Sequence, residues 1–350
     1  MIRLMVLTTA WLTALSAVMQ AAAQISLTAE PPVGKHEVQG VVVENDGKYQ
    51  STGYTPADLL FLLCEPDEIP GYTVVVREYR GHEIDGGTFA WMAPFGHTHV
   101  WLNVGGLSSS AKREELQCRV TRRWFPLERA QAYLARQIGS FIGLIGGGSI
   151  YVQVSLYQKR ASQNYEEFQR ESAALFYRGT PSGIPLGTES WYSLGPKKST
   201  LSLCFVYDRS FVRVMSHPDP ALGEAVAQSI LYRLLIHPKG VVARAATPAV
   251  TLNGRTVQSA HLTALNGTVV APVSVLKPFG VKVEVSRSVH FWHVTLQRGE
   301  RWIALEAFRR EARTPDGTLK LERPVFPFKG ELVVPLRQVA EALGLTVQAQ

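Results

Sequence analysis

One stretch near the C-terminus decides the fold of the last third of the chain: Lys329-Gly330-Glu331-Leu332-Val333-Val334-Pro335-Leu336-Arg337-Gln338-Val339-Ala340-Glu341-Ala342-Leu343-Gly344. It predicts a turn, a strand, and a helix that starts at a proline and ends at a glycine. An earlier copy begins with Asn266-Gly267-Thr268-Val269-Val270-Ala271-Pro272, and the matching glycines and prolines of the two copies lie 63 residues apart, except for the last glycine pair, Gly280 and Gly344, which one inserted residue places 64 apart. Such a constant spacing indicates an internal repeat.

The two copies differ in their helices. Pro278 falls inside the first helix, where a proline removes a backbone donor and clashes with the preceding turn. We therefore expect that helix to be short or irregular. The second should be regular, because Leu336, Val339 and Leu343 share one face and Gly344 provides the stop.

The second copy resembles the signature of the copper amine oxidase N-terminal-like domain, also called the stalk domain, and the resemblance covers about residues 248 to 350. Ser274 stands in the first copy where the signature has an arginine. The resemblance implies a small α+β module of exported bacterial proteins, generally non-catalytic.

The resemblance raises the question of amine oxidase activity. That family makes a quinone from the tyrosine of an N-Y-[DE] motif and binds copper through a downstream H-x-H pair. Asn164-Tyr165-Glu166 and His97-Thr98-His99 occur here, but in the opposite order, and the chain is too short for the catalytic barrel. We therefore expect no oxidase activity.

The N-terminus has the features of an export signal. Arg3 is followed by an apolar run from Leu4 to Val18 and then by Ala21-Ala22-Ala23. This order is typical of a secretory signal peptide over residues 1 to 23, which predicts an exported protein in the periplasm, at the cell surface or secreted. An uncleaved anchor is the alternative. No later stretch is long and apolar enough to predict a transmembrane helix.

The rest of the chain divides into two predicted domains. Residues 24 to 236 should form an α+β domain with one antiparallel sheet and several helices, residues 237 to 249 a linker rich in proline and glycine, and residues 250 to 350 a small duplicated α+β domain.

Local patterns place the elements of these domains. We predict helices from Thr55-Pro56, from Pro126 to Gly139 with Leu134 inward, at 164 to 177, and at 222 to 234. Strands are predicted at 72 to 78, 88 to 92, 99 to 104, 150 to 156, and 281 to 285, and hairpins at 201 to 215 and 294 to 305.

The composition is that of an ordinary globular protein, with 46% hydrophobic and 19% charged residues and a net charge of +7. The positive excess lies in the C-terminal third, which has 13 Lys and Arg against 8 Asp and Glu, whereas residues 24 to 247 have 22 against 21. A spread of basic residues favours anionic wall polymers, lipid headgroups or solubility. No basic run interleaved with aromatic residues indicates nucleic acid.

The three cysteines, Cys64, Cys118 and Cys204, leave two alternatives open. An exported protein permits one disulfide and one free thiol. Three buried thiols without a bond are the other alternative, because cysteine is among the most buried residue types. The sequence does not select a pair.

Histidines are the candidate metal ligands. His97 and His99 point to the same face of a predicted strand, and His82 is the nearest possible third ligand. His290 and His293 are predicted to face opposite sides of a strand, with partial burial beside Trp292. Isolated H-x-H pairs usually lie on surfaces, so these are weak candidates.

Other motifs favour binding over catalysis. The glycines before the strand at 150 to 156 form neither a phosphate loop nor a nucleophile elbow. Four tryptophans provide a possible carbohydrate or peptide platform, although they equally suit a core: Trp91, Trp101, Trp124 and Trp191. We expect an exported, non-catalytic binding or structural protein without a cofactor, with a cell-wall polymer or another envelope protein as its partner. The alternative is an envelope hydrolase with a metal site at His82, His97 and His99.

Overall fold

The chain was analysed as a computed structural model. It describes residues 26–47, 51–75, 98–103, 116–135, 137, 144, 147–158, 176–243 and 248–349 of the 350. The predicted signal peptide, the strand at 88 to 92 and most of the helix at 164 to 177 lie outside these residues. Among the described residues, no helix combines the length and apolar character that a membrane crossing requires.

The N-terminal region, residues 26 to 243, is built around one large sheet. Its strands are β1 (Gly34–Val38), β2 (Val41–Asn45), β3 (Tyr72–Thr73), β4 (Thr98–Leu102), β5 (Leu116–Pro126), β6 (Ser149–Tyr157), β7 (Tyr177–Arg178), β8 (Glu189–Leu194), β9 (Leu201–Tyr207) and β10 (Ser210–His217). Its described helices are α1 (Pro56–Leu60), α2 (Leu127–Leu134) and α3 (Pro220–Ile236), with a 3₁₀ turn at Pro196–Lys198.

These ten strands form one sheet in the order β1-β2-β4-β5-β6-β10-β9-β8-β7, with β3 paired to β5. The prediction of a purely antiparallel sheet is wrong in one place, because β2 and β4 run parallel. Helix α1 and strand β3 lie between them in the chain, and parallel neighbours need a long crossover connection of this kind. The predicted β9–β10 hairpin is confirmed.

The C-terminal domain contains three small antiparallel sheets. Its strands are β11 (Val250–Leu252), β12 (Arg255–Thr256), β13 (Thr263–Leu265), β14 (Thr268–Pro272), β15 (Lys282–Arg287), β16 (Trp292–Arg298), β17 (Arg301–Glu306), β18 (Glu311–Thr314), β19 (Gly317–Lys320), β20 (Phe326–Phe328), β21 (Glu331–Pro335) and β22 (Val347–Ala349). A 3₁₀ helix at Val273–Phe279 and α4 (Leu336–Ala342) complete it.

The two stretches with the repeated sequence pattern lie in the sheet β13-β14-β21-β20. The corresponding strands β13 and β20 form its two edges, and the corresponding strands β14 and β21 pair at its centre. The helix after β14 is a 3₁₀ helix that contains Pro278, as predicted. Helix α4 is regular, with Leu336, Val339 and Leu343 fully buried. Gly344 follows it with a positive φ of 72°, as expected for a helix stop.

Helix α3 joins the two parts of the molecule. Asp219 caps it by accepting the Leu222 N–H at 3.0 Å, and it packs on β9 and β10 on one side and on β13 and β20 on the other. It is therefore buried all round, although one apolar face was predicted. A single apolar core runs through both parts of the chain.

The segment after α3, predicted as a linker, is packed where it is described. His237 is buried and its Nε2 lies 2.9 Å from the Asp58 carbonyl oxygen. Val241 is also buried, and its carbonyl accepts the Arg209 Nε–H at 2.6 Å. The predicted domain boundaries at 237 and 249 stay predictions.

Four local predictions are corrected. Leu134 is exposed because it is the last residue of α2, and Ala130 is the residue of this helix that is fully buried. Tyr177 lies on β7 and is exposed, and does not end a helix. Val285 is exposed because β15 is an edge strand. His290 precedes β16, and both it and His293 are exposed, so neither is buried beside Trp292.

Candidate ligand-binding face

Strand β6 divides apolar and polar side chains between the two faces of the sheet. Its core face carries Ile150, Val152, Val154 and Leu156. The opposite face carries what we call the polar ladder: Ser149, Tyr151, Gln153, Ser155 and Tyr157. Ser149, Tyr151 and Ser155 are buried although they lie on the polar face. Gln153 and Tyr157 are half-buried, so the polar face stays partly accessible at these two positions.

Hydrogen bonds connect successive members of the polar ladder. The Tyr151 hydroxyl donates to Gln153 Oε1 at 3.2 Å, and Gln153 Nε2 donates to Ser155 Oγ at 3.3 Å. Arg119 Nε donates to the same Ser155 Oγ at 3.1 Å. Because Gln153 is bonded through both its oxygen and its nitrogen, its orientation is fixed.

Three arginines, the arginine cluster, flank the polar ladder: Arg119 and Arg123 on β5 and Arg213 on β10. Arg123 Nη1 donates to Ser149 Oγ at 2.6 Å, and its guanidinium carbon lies 5.0 Å from the Tyr151 ring centroid. The stacking and the hydrogen bond hold a buried cation beside neutral groups.

The protonation states of this face are set by burial. Burial lowers the pKa of Arg123 to about 10, which leaves it charged at neutral pH. Burial raises the pKa values of Tyr151 and Tyr157, which keeps both phenols protonated. These groups therefore act as hydrogen-bond donors at neutral pH and do not exchange protons there.

The predicted metal ligands are only partly described. His99 lies on β4, is buried, and stacks on Trp101 with ring centroids 3.5 Å apart. Its Nε2 lies 3.4 Å from Glu44 Oε2, and the hydrogen bond from His99 holds the pKa of Glu44 below its usual range. His82 and His97 lie outside the described residues. Within the described ranges, no three His, Cys, Asp or Glu side chains come together to hold a metal.

The other predicted candidates lie in the interior. The described tryptophans of the proposed platform, Trp101, Trp124 and Trp191, are buried, and Trp91 is outside the described residues. They therefore serve the packing of the sheet. All three cysteines are free and buried, and burial raises the pKa of Cys204 to about 12, which suppresses thiolate chemistry.

A cleft lies between the N-terminal region and the C-terminal domain. This cleft has a volume of about 480 Å³ and is lined from one side by Glu224 and from the other by Arg309, Arg310 and Arg313. The orientation of Glu224 is fixed, because the Ser182 hydroxyl and the Ser182 backbone N–H both donate hydrogen bonds to its carboxylate. Glu306 and Glu311 also line the cleft, so acids balance the arginines.

The sequence predicts strand β6, but it does not predict that side chains on the polar face of this strand are buried. The signal is the strict alternation Ser149-Ile150-Tyr151-Val152-Gln153-Val154-Ser155-Leu156-Tyr157. Alternation of this kind normally predicts a strand with one face in water. Arg119, Arg123 and Arg213 lie beside this strand because β5 and β10 pair with β6, which the alternation alone does not predict.

The fold is that of a mixed α/β protein, with a ten-stranded sheet and helices followed by small antiparallel sheets in the C-terminal part. Residues 248–350 match the family model of the copper amine oxidase N-terminal domain. The predicted resemblance is thereby confirmed, and the chain contains this domain in its C-terminal part, under a third of its length. Comparison with the curated proteins and with solved structures gives no match.

Proposed function

We propose that the protein is an exported binding protein without catalytic activity. Its N-terminal region takes a ligand on the polar ladder, and its copper amine oxidase N-terminal domain contacts the envelope or a partner protein. The observation that carries the proposal is the polar ladder itself. Its hydrogen-bonding groups are fixed in orientation, and Tyr151, Tyr157 and Arg123 keep one protonation state around neutral pH. Proton transfer needs a pKa near the working pH, whereas binding needs oriented donors.

The role of the C-terminal domain is supported by its architecture. Its turns, valine-rich strands and short helices serve packing, and its positive excess lies on exposed side chains such as Arg301, Arg309 and Arg313. We also propose that its two halves arose by duplication. The matching places of β13 with β20 and of β14 with β21 support this.

The binding proposal is tested with the full chain and a panel of envelope components, by thermal shift. Gln153→Leu removes the central amide of the polar ladder at nearly constant volume. Gln297→Leu is the matched control, because Gln297 is exposed on β16 in the C-terminal domain. A ligand at 100 times its Kd stabilises a protein by about 2.7 kcal/mol. This gain should disappear in Gln153→Leu alone. Equal responses of both variants would refute a site on the polar ladder.

Export is tested separately by mass spectrometry of the protein recovered outside the cytoplasm. The expected N-terminus lies near Gln24. Exported protein that still carries Met1 would contradict cleavage.

The alternative function, an envelope hydrolase with a metal site, is favoured by the position of His99 beside Glu44, 3.4 Å apart on the polar side of the sheet. Metal analysis of the purified chain distinguishes the two proposals. One equivalent of a transition metal that is lost in His99→Gln would favour the hydrolase, and a metal-free chain would favour the binding protein.

A further inference from the structure

The cleft between the N-terminal region and the C-terminal domain carries charges of both signs. The described residues that line it include as many acids as arginines: Glu224, Glu306, Glu311, Arg309, Arg310 and Arg313. Its volume of about 480 Å³ lies in the range of about 300–1,000 Å³ that is typical of small-molecule sites. Walls of balanced charge are complementary to a ligand that carries both charges, and less so to a ligand of one sign.

Glu224 provides the negative charge on the side of α3. It is buried, with 6% of its surface exposed. Its hydrogen-bond donors are the hydroxyl and the backbone N–H of Ser182, both neutral, and among the residues that the structure describes no Lys, Arg or His side chain pairs with it. An ionised carboxylate has about four acceptor positions, so it can accept further hydrogen bonds. Buried charges are normally paired, and an ammonium group in the cleft would supply the missing cation.

Arg313 provides the positive charge on the side of the C-terminal domain. It lies on β18 and is exposed, and within the described part of the chain its guanidinium group has no hydrogen-bond or ion-pair partner. The other two arginines are partly engaged. Arg309 Nε lies 3.6 Å from Glu306 Oε1, and Arg310 Nε donates to the Leu321 carbonyl oxygen at 3.2 Å. Arg313 therefore keeps the paired donors that match the two oxygens of a carboxylate.

Apolar side chains complete the lining of the cleft. Ile184 lies on the side of the N-terminal region, and Phe308 and Pro324 on the other. Phe308 is buried and has a φ of 62°, a conformation that bulky residues rarely adopt. Its N–H donates to the Val325 carbonyl oxygen at 2.7 Å, which holds this backbone in place. Backbone strain of this kind is concentrated at ligand sites, and the apolar lining suits an aliphatic part of a ligand.

We propose that the cleft binds a small zwitterionic ligand of the amino-acid or short-peptide class. The ammonium group of the ligand pairs with Glu224, and its carboxylate pairs with Arg313. Because Glu224 lies on α3 and Arg313 lies on β18, the ligand contacts both parts of the chain. This site is separate from the polar ladder and does not depend on the function proposed for the ladder.

The test is isothermal titration of the full chain with three probes. Dialanine carries both charges, N-acetyl-dialanine lacks the ammonium group, and dialanine amide lacks the carboxylate. Wild type should bind dialanine at least about tenfold more tightly than either blocked probe, because each blocked probe loses a hydrogen bond between charged groups. Alanine and trialanine then measure the separation of the two charged groups, since each extended residue adds about 3.3–3.6 Å.

Two variants assign the ends of the ligand. In Glu224→Gln, the preference for dialanine over the acetylated probe should disappear. In Arg313→Gln, the preference for dialanine over the amide should disappear, and the preference over the acetylated probe should remain. Arg337→Gln is the matched control, because Arg337 is exposed on α4 in the C-terminal domain, and it should leave both preferences and the Kd unchanged.

Other outcomes overturn the inference. It fails if no peptide or alanine binds at millimolar concentration, or if either blocked probe binds as tightly as dialanine. It also fails if Arg313→Gln keeps the wild-type preferences, and this exposed substitution decides the question even where Glu224→Gln does not fold. Loss of dialanine binding in Gln153→Leu would place the probe on the polar ladder and refute the cleft site.

Discussion

Arg233 Nη2 lies 2.5 Å from Glu68 Oε2, and both side chains are buried at the junction between α3 and the C-terminal domain. The same Nη2 is 3.3 Å from the Pro327 carbonyl oxygen, and the guanidinium carbon is 5.0 Å from the Phe328 ring centroid. Burial raises the pKa of Glu68 in spite of the neighbouring Arg233. Burying both charges costs free energy that offsets their attraction. The pair therefore adds little net stability and instead specifies how α3 packs against its neighbours at this junction.

Breaking this pair should be costly. Glu68→Gln leaves Arg233 buried without its counterion, and we expect a loss of about 3–5 kcal/mol in the free energy of unfolding, measured by urea denaturation. The control is Asp67→Asn, which removes the neighbouring but exposed ion pair of Asp67 with Arg287 and should cost under about 1 kcal/mol. Similar losses in both variants would contradict the role of the buried pair.

The C-terminal domain, residues 248 to 350, should fold alone but less stably than within the chain. Its apolar side chains belong to a core shared with the N-terminal region, in which Phe326 and Phe328 each pack with ring centroids 5.3 Å from Tyr232 of α3. We expect a cooperative thermal transition by circular dichroism, at a lower midpoint than that of the full chain. Leu332→Asp, which places a charge in the core, should abolish it. A wild-type fragment without a cooperative transition would show that the domain needs α3.

The junction should weaken in mild acid through His261. Burial, and then the charge of Lys329, lower the pKa of His261 below its usual 6.5, and Glu331 opposes this shift. Between the lowered pKa and about 6.5, the unfolded chain binds more protons than the folded chain, so stability falls as pH falls through this window.

Unfolding free energies from pH 7 to 5 check this prediction. His261→Gln should flatten the pH dependence, and Lys329→Gln should flatten it partly. His290→Gln, at an exposed position, should leave it unchanged. An identical slope in wild type and His261→Gln would assign the acid sensitivity to other groups.

The three thiols should resist modification in the native chain. Burial raises the pKa of Cys64 to about 11 and that of Cys204 to about 12, and also raises the pKa of Cys118. Labelling at pH 7.5, followed by intact-mass analysis, should give almost no adduct before denaturation and three after it. An added exposed thiol, Ser288→Cys, should react rapidly. A mass two hydrogens lower than expected would reveal a disulfide.

Local sequence chemistry predicted the elements whose stability depends on near neighbours. Helix α4 follows from its apolar spacing and Gly344, the 3₁₀ helix from Pro278, and the start of α1 from Thr55 and Pro56. In each case the deciding interactions lie within one or two turns of chain.

The predictions that failed concern relations between distant segments. The parallel pairing of β2 with β4 and the exposure of Val285 depend on which strands become neighbours and which become edges. The metal site predicted at His82, His97 and His99 stays a prediction, because only His99 is described, and the fold places that residue beside Glu44 and Trp101.

The sequence by itself determined the helix stops and the alternation of β6, because these follow from backbone geometry and the spacing of side chains along one segment. Only the tertiary structure decided that Ser149, Tyr151 and Ser155 of the polar ladder are buried and that Arg119, Arg123 and Arg213 lie beside the ladder. The physical reason is that a period of two places polar side chains on one face and leaves open what lies against that face. The pairing of β5 and β10 with β6 decides which side chains lie beside that face.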